Sequence, residues 1–157
     1  MKSRPRILII DDDENIRKVL SMILEDKGYI VDVAEDGEEA IKKSQKNFYN
    51  LALIDIKLPD MEGTDLLTRM KETTPKMIKI ILTGYPTLKN AIDAVNKGAD
   101  GYLVKPIDVD ALCHVIAEHL KRQEEENRFS EEKVAEFIET RAREMKSKSK
   151  PRKKPEK

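Results

Sequence analysis

Four places in this sequence carry residues able to do chemistry together: Asp11-Asp12-Asp13, Asp55, Thr83 and Lys105. If brought into one cleft, the carboxylates repel one another by about 4 kcal/mol per pair at about 4 Å and an effective dielectric of 20. A divalent cation relieves that. The donor set is all oxygen, with no Cys or His at ligand spacing, which suits Mg²⁺ held by one or two carboxylates together with phosphate oxygens. Lys105 adds a point charge for a phosphoryl oxygen, and the Thr83 hydroxyl can donate to another. In such a site a carboxylate can act as nucleophile toward phosphorus, because phosphoryl transfer needs in-line positioning and charge neutralisation above all. Asp55 is the candidate nucleophile; Asp11 and Asp12 compete as metal ligands, and Asp13 is placed to cap a helix.

The elements that must position these groups are legible. Apolar runs rich in Ile, Leu and Val at 6–10, 29–34, 51–54, 79–82 and 101–104 read as short strands. RILII, LALI and KIIL are nearly continuous rather than alternating, as strands buried on both faces of a parallel sheet must be. Between them, Ile16, Val19, Leu20, Ile23 and Leu24 repeat at helical spacing, as do Leu88, Ala91, Ile92 and Val95, and Leu112, Val115, Ile116, His119 and Leu120. Segments 37–46 and 65–73 are weaker but compatible with helix. Gly28 and Gly98 stand where helices stop, and Asp108 where the last one is capped. The expected fold is α/β, a (βα)₅ doubly wound, flavodoxin-like five-stranded parallel sheet of order 2-1-3-4-5. In that order the first, third, fourth and fifth strands end side by side, with Asp11 and Asp12, Asp55, Thr83 and Lys105 at their carboxyl ends, where open sheets bind ligands.

Taken singly, each group has a structural reading as helix-end charge, turn starter or ordinary dipeptide. Their coincidence at four matching strand ends is what argues for a site. His114 and His119 share a helix but not a ligand spacing, and Cys113 fills a helix face.

The segments IDDDENIRKVL, LALIDIKLPDMEGTDLL and ILTGYPTLKNAIDAVNKGADGYLVKP together resemble the receiver domain of two-component response regulators, over residues 6–121. The resemblance implies phosphotransfer to Asp55 from a sensor histidine kinase or a phosphotransfer protein. It implies Mg²⁺ held by Asp12, Asp55 and the main-chain carbonyl of Lys57, with Asp11 acting mostly through water. A cis bond before Pro106 is also implied, as is a switch in which Thr83 moves toward the phosphoryl group and Tyr102 turns inward. The surface it would change is the fourth helix, fifth strand and fifth helix, to regulate a downstream protein whose identity is open. Lys57 and Tyr85 stand where water access to the acyl phosphate could be tuned. Tyr85-Pro86 is similar to regulators that act through larger output domains, and no such domain is expected in these residues.

After Leu120 the sequence RQEEENRFSEE offers no apolar face, so a receiver domain is expected over 1–123 and a charged helical extension over 124–157, with a further helix from Ser130. The segment KSKSKPRKKPEK reads as a disordered basic tail. Residues 141–157 hold nine Lys or Arg against two Glu, so that within a chain of zero net charge the end is +7 and the remainder −7. That asymmetry motivates a second reading, a phosphorylation-controlled nucleic-acid adaptor using the tail. Without a recognition helix or interleaved aromatics, nucleic acid is the less favoured partner. Val134, Phe137, Ile138 and Met145 form a stripe that could pack on its own domain or in a homodimer. A third reading, a phosphoester hydrolase with an aspartyl-phosphate intermediate, is disfavoured because Lys57 stands where those enzymes place a second aspartate. The chain is therefore expected to be a signalling switch, not an enzyme beyond its own phosphorylation and dephosphorylation. No apolar run approaches the roughly 18 residues of a membrane span, and the start lacks signal-peptide character, so a cytoplasmic location without membrane insertion is expected.

Overall fold

The computed structural model describes residues 3–149. Five strands alternate with five helices: β1 (Arg6–Ile10), α1 (Glu14–Asp26), β2 (Ile30–Ala34), α2 (Gly37–Lys46), β3 (Leu51–Asp55), α3 (Gly63–Arg69), β4 (Ile78–Thr83), α4 (Leu88–Asn96), β5 (Gly101–Val104) and α5 (Val109–Ser149). All strand pairs are parallel, and the order is β2-β1-β3-β4-β5, as expected.

Side chains alternate across each strand, so the sheet divides the core into two layers. On one face Leu8, Ile10, Ala52, Ile54 and Ile81 pack with Ala40, Ile41, Leu66, Leu67 and Ala94 from α2, α3 and α4. On the other, Ile7, Ile9, Leu53, Ile80 and Leu82 pack with Leu20 and Leu24 of α1 and Leu112, Ile116 and Leu120 of α5. Every residue of β3 and β4 is buried, which explains their unbroken apolar runs. Of the two charged residues in these strands, Asp55 ends β3 and Lys79 sits on the first face. Its ammonium donates to the carbonyl of Leu67, in the last turn of α3, at 2.7 Å, and burial lowers its pKa.

Local signals set the helix ends. Asp13 caps α1 by accepting from the Asn15 and Ile16 amides, and Asp108 accepts from the Ala111 amide at the start of α5. Gly28 and Gly98, past the ends of α1 and α4, adopt φ of +98° and +96°.

Two expectations need correction. Helix α3 occupies 63–69 rather than 65–73: Gly63 can start it, and the backbone becomes extended at Met70, ahead of Thr74-Pro75, a cis peptide whose proline could not have continued a helix. Nor does a second helix begin at Ser130, because α5 runs unbroken from Val109 to Ser149. Residues 121–130 contain no Gly or Pro and are rich in Glu, Lys, Arg and Gln, which sustain a helix by propensity without an apolar stripe. By its contacts the chain divides into Met1–Gln123 and Glu124–Lys157. Gln123 is buried, and its amide donates to the carbonyls of Asn50 and Lys76, both at 2.9 Å. Of the expected basic tail, Lys146 to Ser149 belong to α5, and 150–157 lie outside the described residues.

Candidate functional site

Parallel register brings the strand ends into one plane. Asp55, the last residue of β3, pairs with Leu82 of β4, so Thr83 follows beside it, while Ile10 pairs with Ile54 and carries Asp11 and Asp12 just past the end of β1. Lys105 follows β5, where its amide donates to the Thr83 carbonyl at 2.8 Å. The Lys105–Pro106 bond is cis.

One carboxylate oxygen from each of Asp11, Asp12 and Asp55 lies within 4.8 Å of the others. The Lys105 ammonium bridges this group, 2.8 Å from Asp11 Oδ2 and 3.4 Å from Asp55 Oδ2. Asp11 and Asp55 are buried and Asp12 is exposed, so the cluster opens to solvent on one side. Burial, and then the charge of Asp11, raise the Asp55 pKa against the opposing pull of Lys105. Burial also acts against the charged Lys105, but the hydrogen bond and charge of Asp11, followed by those of Asp55, outweigh it and raise its pKa. The ammonium therefore stays charged and shared between two carboxylates. Three clustered carboxylate oxygens without nitrogen or sulfur fit a hard divalent cation such as Mg²⁺.

Thr83 is fully buried, and its hydroxyl oxygen accepts from the Tyr85 amide at 3.0 Å, which leaves the hydroxyl proton for another acceptor. The Lys57 amide donates to Asp55 Oδ1 at 3.3 Å, and the Lys57 ammonium lies 4.2 Å from the centre of the Tyr85 ring, a cation–π contact joining the loops after β3 and β4. Tyr102, on β5, packs its ring against the core layer of α2–α4, and its hydroxyl is buried without a hydrogen-bond partner among the described residues.

The sequence model of the response regulator receiver domain matches residues 7–117. The chain belongs to the response regulator receiver family. Among solved structures it is similar to a CheY-like receiver domain protein from Methanospirillum hungatei, at 47% identity and a TM-score of 0.76, over 79% of this chain and 99% of that one. It is also similar, at 30% identity and a TM-score of 0.66, over 78% of this chain and 72% of the other, to a Burkholderia pseudomallei response regulator solved with a phosphorylated aspartic acid, a calcium ion and citrate. Response regulator ArlR of Staphylococcus saprophyticus is 34% identical over 124 residues, which cover 78% of this chain and 55% of ArlR. The chain thus spans about half the length of that curated relative.

Three residues outside the expected site set also shape this receiver's site. Gly63 packs directly against the Asp55 main chain: a Cβ there would meet the Asp55 carbonyl oxygen at 2.1 Å. Arg17 donates to the Asp11 carbonyl at 2.8 Å, holding the backbone from which Asp11 and Asp12 project. Asp60 accepts from the Gly37 and Glu38 amides, both at 2.9 Å, and so ties the loop after β3 to the N-terminus of α2. Asp60 lay in view within a turn-forming Leu-Pro-Asp sequence, and its reach to another helix is a tertiary fact. Among the described residues no helix is long and apolar enough to cross a membrane.

Proposed function

We propose that this receiver is a phosphorylation switch that accepts a phosphoryl group on Asp55 from a histidine kinase or phosphotransfer protein and signals to a downstream protein. The observation that carries the reading is the Lys105 ammonium bridging Asp11 and Asp55 within the three-aspartate cluster. The phosphorylated aspartic acid of the Burkholderia relative lends support.

An Asp55 carboxylate oxygen attacks the phosphorus of a phosphohistidine protonated on its other ring nitrogen; the P–N bond breaks, its electron pair stays on nitrogen so that neutral imidazole leaves, and a mixed anhydride forms. Lys105 shifts from carboxylate to phosphoryl oxygen, and the Thr83 hydroxyl donates to another. Asp12, Asp55 and the Lys57 carbonyl would hold Mg²⁺, with Asp11 acting through water. When bound, the ion would supply charge neutralisation for the phosphoryl group. Lys57 and Tyr85, whose ammonium and ring centre lie 4.2 Å apart, stand where they would tune the approach of water to the anhydride.

The output surface is α4, β5 and the first turns of α5. Leu88, Ile92 and Val95 of α4 are 78%, 52% and 69% exposed and Val104 of β5 is 50% exposed, an apolar patch on an otherwise charged protein. Two packings of Thr83 and Tyr102 then shift that surface in population.

Incubation with Mg²⁺ and acetyl phosphate tests the chemistry by intact mass. The chain gains one phosphoryl group, and Asp55→Asn gains none. Equal gain by both proteins places the acceptor elsewhere and refutes the reading.

A further inference from the structure

The segment of α5 within 124–149 carries a row of exposed apolar side chains and a charge gradient along its length. Val134, Ile138 and Met145 are 56%, 60% and 69% exposed, and Ala135 and Ala142 are exposed as well. Ala135, Ile138, Ala142 and Met145 follow one another at spacings of three, four and three, the a/d seam of a two-helix coil, with Val134 at its edge. Phe129 and Phe137 lie off this seam, with Lys133 and Arg141 over their rings at 5.0 and 5.8 Å. The gradient runs along the helix: residues 124–139 hold seven Glu against two basic residues, and 141–149 hold four Lys or Arg against one Glu.

We propose that the extension associates with a second copy of itself as an antiparallel helix pair centred between Ile138 and Ala142. The charge gradient selects both partner and direction. In an antiparallel pair each acidic half runs along the other chain's basic half, whereas a parallel pair would set Glu against Glu and Lys against Lys. The pair is self-complementary, as a two-fold interface must be. The seam selects the register as well, since seating Ile138 opposite Ala142 of the other copy also seats Ala135 opposite Met145, so small residues face large ones at every layer. Of the local pairs, Arg141–Glu144 at 3.4 Å lies within the basic half and Arg143–Glu139 at 3.2 Å takes one charge from each half, so the two halves keep excesses of opposite sign. With two alanines among four seam positions, the pair buries less than the about 1,200 Å² of stable interfaces, so the association is expected to be weak and concentration-dependent. The association does not depend on phosphorylation of Asp55.

Sedimentation equilibrium of the full chain up to about 1 mM reads the mass directly. A monomer–dimer equilibrium is expected, weakened several-fold by added salt. Ile138→Asp, at a position too exposed to affect folding, removes one buried isoleucine from each copy and should weaken association at least about 100-fold. Direction is read by oxidising an equal mixture of Ala135→Cys and Met145→Cys chains, each in a Cys113→Ala background. Antiparallel pairing gives the mixed disulfide, because like positions then stand about 15 Å apart along the axis. A chain monomeric at about 1 mM would overturn the proposal and leave the stripe to a foreign partner. So would a dimer indifferent to Ile138→Asp, which would use another face, or like-with-like disulfides, which would mean a parallel pair.

Discussion

Replacing Asp60 with alanine removes a clamp that spans two elements. Its carboxylate accepts from the Gly37 and Glu38 amides at 2.9 Å each, and these are first-turn donors of α2 that have no partner within the helix. Loss of a side-chain cap costs about 0.5–2 kcal/mol, and hydrogen bonds to an ionised acceptor lie toward the top of that range. Asp60 is exposed, so water replaces part of what is lost, while Asp36 still caps the Glu39 amide. A destabilisation of about 1–2 kcal/mol follows, which at usual urea sensitivities lowers the unfolding midpoint by about 0.5–1 M. The effect has a pH signature. The hydrogen bond from the Gly37 amide leads in holding the Asp60 carboxyl below its ordinary 3.8, against slight desolvation, so the folded state favours the ionised form. That stabilisation is complete above the ordinary pKa and is lost as pH falls through the depressed folded value. Urea titrations followed by circular dichroism, for both proteins at neutral and acidic pH, measure it. Indistinguishable midpoints at neutral pH would refute the clamp; a difference as large at about pH 2.5 as at neutrality would refute its ionic character.

The site invites two further substitutions. Lys105→Ala leaves Asp11 and Asp55 facing each other without the shared ammonium, so labelling by acetyl phosphate should slow at least tenfold, by about 1.4 kcal/mol or more, while Mg²⁺ binding measured by calorimetry should tighten because a competing cation is gone; an unchanged labelling rate would contradict the assignment. Gly63→Ala drives a methyl group to 2.1 Å from the Asp55 carbonyl oxygen and 2.8 Å from its carbon, which backbone cannot absorb without moving, so the melting temperature should fall by at least about 5 °C and Asp55 labelling should fall with it.

The strands were legible because burial on both faces leaves continuous Ile and Leu runs, and the polar residue ending each run then stands out, as Asp55 does after LALI. Once the strand order is right, Asp11, Asp12, Thr83 and Lys105 fall beside it. Gly63 and Arg17 were not legible, because their roles consist of approach to a backbone eight residues away in one case and six in the other, and no periodicity encodes a close approach. The helix through 121–130 was missed for the opposite reason. A polar helix leaves no stripe, and its signals are only propensity and the lack of breakers. Gln123 shows the cost of reading that stretch as a break, since its buried amide serves two carbonyls of the domain.

The Tyr102 hydroxyl, enclosed without a partner among the described residues, gives its ring a particular thermodynamic character. Leaving a buried hydroxyl unpaired costs about 1–3 kcal/mol, and the half-buried ring gains part of the about 1.5–3 kcal/mol of a fully buried side chain. The two nearly cancel, so the enclosed rotamer occupies a shallow well, and rotation toward solvent would exchange one benefit for the other at little net cost. A side chain so balanced is a comparator rather than a latch: a perturbation of about 1 kcal/mol nearby redistributes its rotamers by a factor of about five.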